Sequence, residues 1–356
     1  METLKLKIKK KPTPAVILVS DPNADVDDMV SYAAAAALAE KGKIKLEAVI
    51  TTCGDFAVRL RRAKLAKGCF IDLGLPFQKV CAGCDYTRPK NVRDDYFAEE
   101  ENSLALERKG SAVLRNSRQL LAELFKKAEP KSITLVLNAQ VSDVNIYLRE
   151  CGPKILKKIS RIVLMGGVSD ELDEEGRLQP DLTSYNFKVA PEAAKELFVW
   201  SQNNNIRLVL VPREFVYQVP FSAEFYTRLR HSGHPVAKAI ANVSRAALEN
   251  LWNGVRGGNY SHFDVRRFAK VFMGKTVRQA FKEISGRDDF ATIEAKIRNF
   301  YLYDVFTVLA ADEQLFRKFA RLQRLGNKYS VFQAEITDPA VAKEQTEKLI
   351  FKKLCD

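Results

Sequence analysis

The sequence predicts an α/β fold, a mainly parallel central sheet with helices on both faces. Two observations carry this reading. Short apolar runs alternate with amphipathic segments over most of the 356 residues, the pattern of repeated strand–crossover–strand units. No repeat, heptad or low-complexity linker interrupts the alternation, so residues 13–352 read as one domain. Residues 1–12, rich in lysine, read as a basic tail or an edge strand.

The first strand is expected at residues 15–19, apolar and β-branched, broken by Asp21-Pro22-Asn23. A helix follows from about Met29 through an alanine-rich stretch. Residues 46–52 read as a second strand, 57–67 as a basic helix and 79–82 as a short strand. Residues 85–110 are polar and charged, a surface excursion. Apolar periodicity at Leu114, Leu120, Leu121, Leu124 and Phe125 predicts a helix over 111–128. Strand 133–137, helix 141–149 and strand 161–165 come next, the last ending at Gly166-Gly167. A helix over 191–202 starts with proline in its first turn, where proline is tolerated. Strand 206–211 precedes a mostly helical segment near 222–300, which contains a glycine-rich loop at 254–261. A helix over 297–311 and a strand over 329–337 close the pattern.

Composition narrows the function classes. With 46% hydrophobic and 28% charged residues, the chain reads as a soluble globular protein. No apolar run approaches the roughly 20 residues of a membrane helix. Six scattered cysteines in a chain this long imply reduced thiols inside the cell. The basic N-terminus lacks the apolar core of a secretory signal. That places the protein in the cytoplasm, or in an organelle such as the mitochondrion if the segment is a processed targeting remnant. Cys81 and Cys84 have redox-type spacing, but no second pair and only three histidines accompany them, which argues against zinc. A net charge of +13 suits RNA or an acidic protein partner, though lysine-rich surfaces also serve solubility.

The chemistry concentrates at Asp21, Asp25, Asp27 and Asp28, directly behind the first strand. Two like charges about 4 Å apart repel by roughly 4 kcal/mol at an effective dielectric of 20. Converging carboxylates therefore require a hard cation, a shared proton or a shifted pKa, and oxygen-only ligands suit Ca²⁺ or Mg²⁺. The plainer reading, helix capping, accounts for one or two of them. Asp304 stands at the front of a later apolar helix, where an isolated carboxylate is usually a cap.

Four segments occur in a specific order: Asp21-Pro with Asp27-Asp28, Met165-Gly-Gly167, Tyr185-Asn186-Phe187 before Ala190-Pro-Glu-Ala-Ala194, and Tyr303-Asp304. In this the chain resembles the inosine–uridine nucleoside hydrolase family over roughly residues 14–312. The longer first turn is similar to that of a eukaryotic branch. The resemblance implies one Ca²⁺ at the carboxyl ends of the sheet and cleavage of a ribonucleoside's N-glycosidic bond. It implies Asp21, Asp27, Asp28, Asp304 and the Asn138 carbonyl as metal ligands, with Asp21 also taking a proton from the attacking water. Asp27 and Asn186 would bind ribose hydroxyls. A homo-oligomer is common in the family.

The departures fall on the substrate side. Ser184 stands where the family has Glu, Arg177 where it has Asn, and Tyr303 where it has a proton-donating His. Tyr303, Tyr301, Tyr260, His262 and Trp252 are therefore candidates near a leaving base, each with core packing or a solvated loop as the plainer reading. Two functions follow: a Ca²⁺-dependent N-ribohydrolase with altered preference, or a turnover-impaired relative serving as a structural or RNA-associated subunit. A third, a nucleotide site with Arg177 on a phosphate, lacks any glycine-rich phosphate loop.

Overall fold

The computed structural model describes residues 12–22, 26–84, 103–105, 112–259, 263–274, 279 and 284–356. Within them the alternation expected from sequence is realised. β1 (Ala15–Ser20), α1 (Asp27–Glu40), β2 (Lys45–Thr51), α2 (Phe56–Asp72) and β3 (Val80–Ala82) build the first half-sheet. Next come α3 (Ser117–Lys127), β4 (Ile133–Leu137), α4 (Ser142–Cys151) and β5 (Ile159–Met165). A hairpin, β6 (Val168–Leu172) with β7 (Leu178–Pro180), leads to α5 (Tyr185–Lys188), α6 (Pro191–Asn203) and β8 (Leu208–Val211). The helical segment holds α7 (Arg213–Val216), α8 (Ala223–His231), α9 (Pro235–Arg256), α10 (Val265–Met273) and α11 (Phe290–Glu294). α12 (Tyr303–Leu309), α13 (Glu313–Phe316), β9 (Ala320–Arg324), β10 (Val331–Ile336) and α14 (Pro339–Leu354) complete the chain.

The main sheet has eight strands in the order β3-β2-β1-β4-β5-β8-β10-β9, parallel except for the edge strand β9. Alternate residues of β1 serve different cores. Val16 and Leu18 join the layer containing α1, α12 and α14, while Ile17 and Val19 join the layer containing α3, α4 and α6. α1 is apolar all round at Ala33–Ala37, each at most 1% exposed, because it is enclosed by α12 and α14. The helical segment closes a small core of its own around Trp252, Phe268 and Ile293.

Three sequence expectations change. The helix expected over 111–128 begins only at Ser117; Leu114, expected on its apolar face, is exposed and bridged to Cys81. The helix expected over 297–311 begins only at Tyr303, because Phe300 exchanges both backbone hydrogen bonds with Phe221 at 2.9 Å. The hairpin β6–β7, the antiparallel edge strand and α14 carry too weak a pattern to be anticipated. Most of the surface excursion expected at 85–110 lies outside the described residues, as do Asp25, Tyr260, His262 and the lysine-rich start of the chain.

Candidate active site

β1 pairs with β2 on one side and β4 on the other, so the strand order reverses there. In open α/β sheets a crevice forms at that point, beyond the carboxyl ends of the strands. Asp21 follows β1 and Asn138 follows β4 directly. α1 brings Asp27 and Asp28 in its first turn, and α12, packed against α1, brings Asp304.

These three carboxylates are not N-caps. α1 is preceded by Val26 and α12 by Leu302, neither with a side-chain cap. By contrast Asp55, Asn116 and Asp338 cap α2, α3 and α14 by accepting from backbone N–H groups. Positions in a first turn favour negative charge through the helix dipole, which offsets part of their repulsion.

Asp27, Asp28 and Asp304 each present an oxygen within 4.8 Å of the others, and all three are buried. At that spacing each ionised pair repels by roughly 3–4 kcal/mol at an effective dielectric of 20. A buried, oxygen-only donor set of this kind fits a hard divalent cation such as Ca²⁺. The backbone supports it locally: Asp28 N–H donates to Asp27 Oδ1 at 3.1 Å, and Asp21 N–H donates to Asp28 Oδ2 at 3.2 Å. Beneath the cluster the Tyr32 hydroxyl meets Ser20 Oγ at 2.5 Å, its pKa pushed well up by burial and then by Asp28.

The remaining expected residues divide. Asn138, 2% exposed, is bound to α12: its Nδ2 donates to the Asp304 carbonyl at 3.4 Å, and Thr307 Oγ1 donates to its Oδ1. Asn186 Nδ2 donates to the Asn138 carbonyl at 2.6 Å. The Met-Gly-Gly turn explains how Asn186 arrives. A Cβ on Gly166 (φ +154°) would lie 2.4 Å from the Phe187 ring, so only glycine admits Phe187 there. Ser184 lies two residues earlier, half-buried, with its hydroxyl 3.3 Å from Asp181 Oδ2. Tyr303 opens α12 beside Asp304, its ring T-shaped to Tyr217 at 6.1 Å.

Arg177 is not brought to this cluster. It sits at the turn of the β6–β7 hairpin, held by Asp173 at 2.7 Å and Glu175 at 2.6 Å, and reaches Asn203 at the far end of α6. That end leads into the start of β8, opposite the carboxylates. The acidic turn Asp173-Glu174-Glu175 captures its guanidinium locally. Trp252 is core: fully buried, with its indole N–H on the Asp288 carbonyl at 3.0 Å. Tyr301 donates to the Val271 carbonyl at 3.1 Å and stacks edge-on against Tyr217.

Sequence reasoning missed two buried arginines. Arg59 and Arg62 lie one turn apart on α2 at 0% and 3% exposure. Arg59 pairs with buried Asp143 at 2.9 Å. Arg62 Nη1 donates to the carbonyls of Thr52 (2.8 Å) and Cys53 (2.9 Å) and lies 3.8 Å from Asp21 Oδ2. Burial pulls the Arg62 pKa down, but Asp21, then Cys53 and Asp28, outweigh it and hold the pKa above the usual arginine value. The signal available was weak: two arginines one turn apart, interleaved with Val58, Leu65 and Cys69 on a helix that otherwise reads as basic.

The profile described as inosine-uridine preferring nucleoside hydrolase matches residues 16–338. The chain belongs to that family. The nucleoside hydrolase of Leishmania major with the same description is 27% identical over 235 residues, 64% of this chain and 69% of that protein. The counterpart from Crithidia fasciculata is 26% identical over 57% of this chain and 61% of its own length. Among solved structures, the type III effector protein XopQ complexed with adenosine diphosphate ribose is 27% identical, with a TM-score of 0.84 over 97% of this chain and 94% of that one. A plant nucleoside hydrolase, 16% identical at a TM-score of 0.57 over 97% of this chain and 99% of that one, shares the fold. Asp27, Asp28 and Asp304 are thus consistent with the Ca²⁺ site of nucleoside hydrolases. None of the described helices is long and apolar enough to cross a membrane.

Proposed function

We propose that this nucleoside hydrolase family member is a Ca²⁺-dependent N-ribohydrolase, cleaving the N-glycosidic bond of a ribonucleoside to free base and ribose. The observation that carries the reading is the convergence of Asp27, Asp28 and Asp304 beyond the carboxyl ends of a parallel sheet. In this reading these three carboxylates and the Asn138 carbonyl hold the cation. The chemistry such a site supplies when loaded is acidification of a water and orientation of the ribose diol.

The chain's own residues do the rest. Asp21, at the end of β1, takes the proton from the attacking water. Asp27 and Asn186 bind ribose hydroxyls, and the surrounding carboxylates stabilise the oxocarbenium character of the transition state. Tyr303 delivers a proton to the departing base. A phenol titrates near pH 10, so this donation is weaker than that of an imidazole.

A second reading has its own support. The likeness to XopQ, solved with adenosine diphosphate ribose, extends over nearly the whole chain. The family resemblance puts Ser184 and Tyr303 where a Glu and a His are expected. Together these favour a ribosyl ligand with a further group attached, bound with little turnover.

One experiment separates the two: turnover of purine and pyrimidine ribonucleosides and of ADP-ribose, with and without EDTA, beside calorimetric binding. The first reading expects EDTA-sensitive release of free base, reduced by about a hundredfold or more in Asp28→Ala. Binding of ADP-ribose without turnover of any compound supports the second. Neither binding nor turnover would sink both.

A further inference from the structure

Four carboxylates stand at the end of β1 and at the starts of α1 and α12, yet they are not equivalent. Asp27, Asp28 and Asp304 form the compact trio, each offering an oxygen within 4.8 Å of the others. Asp21 is outside that trio, and its Oδ2 faces the Arg62 guanidinium at 3.8 Å. Arg62 is a fixed charge. Its side chain is 3% exposed, and two successive carbonyls, those of Thr52 and Cys53, grip the same nitrogen. Those carbonyls belong to a turn in which Cys53 and Gly54 both adopt the left-handed region, at φ +68° and +80°. A non-glycine residue there is uncommon and is retained only where the surroundings over-determine it.

Arg59, one turn earlier on α2, has its own carboxylate in Asp143 at 2.9 Å and donates through Nε to the Gly54 carbonyl at 2.9 Å. The turn after β2 is therefore clamped from two sides. Arg62 cannot move away from Asp21 without breaking it. A guanidinium in that place does two things. It attracts the Asp21 carboxylate toward α2, and it repels any divalent cation near the trio.

We infer that Arg62 is a positioning residue that holds the Asp21 carboxylate toward α2 and withholds it from the metal shell, so that the cation is held chiefly by Asp27, Asp28 and Asp304. This rests on the metal reading proposed above and departs, at Asp21, from the ligand set that the family resemblance implies. Asp21 is then not a principal ligand, and Arg62 lowers the affinity of the site for the cation.

The test is Ca²⁺ titration calorimetry on the full chain, comparing wild type with Arg62→Lys, Arg62→Met, Asp21→Asn, Asp28→Asn and the double variant Arg62→Met/Asp21→Asn. Close charge pairs couple strongly enough that Arg62→Met should bind Ca²⁺ about tenfold tighter or more. Arg62→Lys should stay near wild type. Asp21→Asn alone should change Ca²⁺ affinity little, and in the Arg62→Met background it should cancel the part of the gain that Asp21 supplies, leaving the part due to lost repulsion. A purely structural arginine would not produce that dependence on Asp21. Should Arg62→Met fail to fold by circular dichroism, the comparison of Asp21→Asn with Asp28→Asn still decides. If Asp21→Asn weakens binding as severely as Asp28→Asn, or Arg62→Met folds and binds like wild type, the inference is overturned while the metal reading stands. Absence of Ca²⁺ binding in every protein would overturn both.

Discussion

The side-chain amide of Asn186 donates to the backbone carbonyl of Asn138 at 2.6 Å, tying α5 to the end of β4. That carbonyl is also the oxygen assigned to the cation, and a carbonyl has two lone pairs to share between them. In the function proposed above, this contact would link substrate recognition to metal binding. Asn186→Ala removes this bond and a longer one to the Met165 carbonyl at 3.5 Å, each worth about 0.5–1.5 kcal/mol net at most, and should raise KM up to about tenfold. Asn186→Asp places an acceptor against an acceptor and should cost about 1–3 kcal/mol of stability, read by urea denaturation. An aspartate variant as stable and as active as wild type would contradict this relationship.

Arg59 and Asp143 form an ion pair at 0% and 1% side-chain exposure, between α2 and α4. Asp143 also accepts from Thr52 Oγ1 at 2.9 Å and from Ser117 Oγ at 3.1 Å, so its removal strands several donors. Arg59→Met leaves a buried carboxylate without its cation and should destabilise by about 3–5 kcal/mol. Arg59→Met combined with Asp143→Asn should recover part of that loss, since no charge stays buried while the amide oxygen still accepts from a neighbouring donor. Chemical denaturation of the two variants checks the order. A single variant no less stable than the double would refute it.

His234 caps α9 in its neutral form. Its Nδ1 accepts from the Val236 N–H at 3.2 Å, and its Nε2 lies 3.1 Å from the Asp72 carbonyl, which fixes the proton on Nε2. Partial burial lowers its pKa; the Asp72 carbonyl raises it, but not enough to restore the usual value. Protonating Nδ1 would remove the cap and place a charge at a helix N-terminus. Above the unfolded-state pKa of about 6.5 the stabilisation is fully present. Below it the unfolded chain takes the proton first, so stability falls as the pH drops toward the lower folded-state value. Asn serves as a cap without titrating, so His234→Asn should flatten that acid-side decline. Thermal melts across pH 5–8 (roughly the histidine window) make the comparison. Parallel declines in both proteins would rule out His234 as the cause.

Much of the architecture was legible in advance because burial on both sides of a sheet imposes apolar runs that composition reveals. β1, β2, β4, β5 and α6 all fall within a few residues of expectation. The acidic turn and the late Tyr303-Asp304 were equally visible, since carboxylates in such numbers behind a strand have few purely structural uses. What failed did so for local reasons. Phe300 has helix-compatible neighbours, and pairing with Phe221 holds it extended. Arg177 followed Gly176 in a loop that matched a binding segment, and Asp173 and Glu175 redirected its side chain.

Read as a linear string, the chain determined its sheet, its layers and the oxygen-rich character of its chemistry, because periodicity and residue type are local properties. Which carboxylates meet was decided only by packing. α12 lies against α1 because both are buried against the same face of the sheet, and that places Asp304 beside Asp27 and Asp28. The same packing turned two arginines of a basic-looking helix inward, one of them onto Asp21. Burial is a property of the whole fold, so no stretch of sequence around Arg62 could have announced which charge it would face.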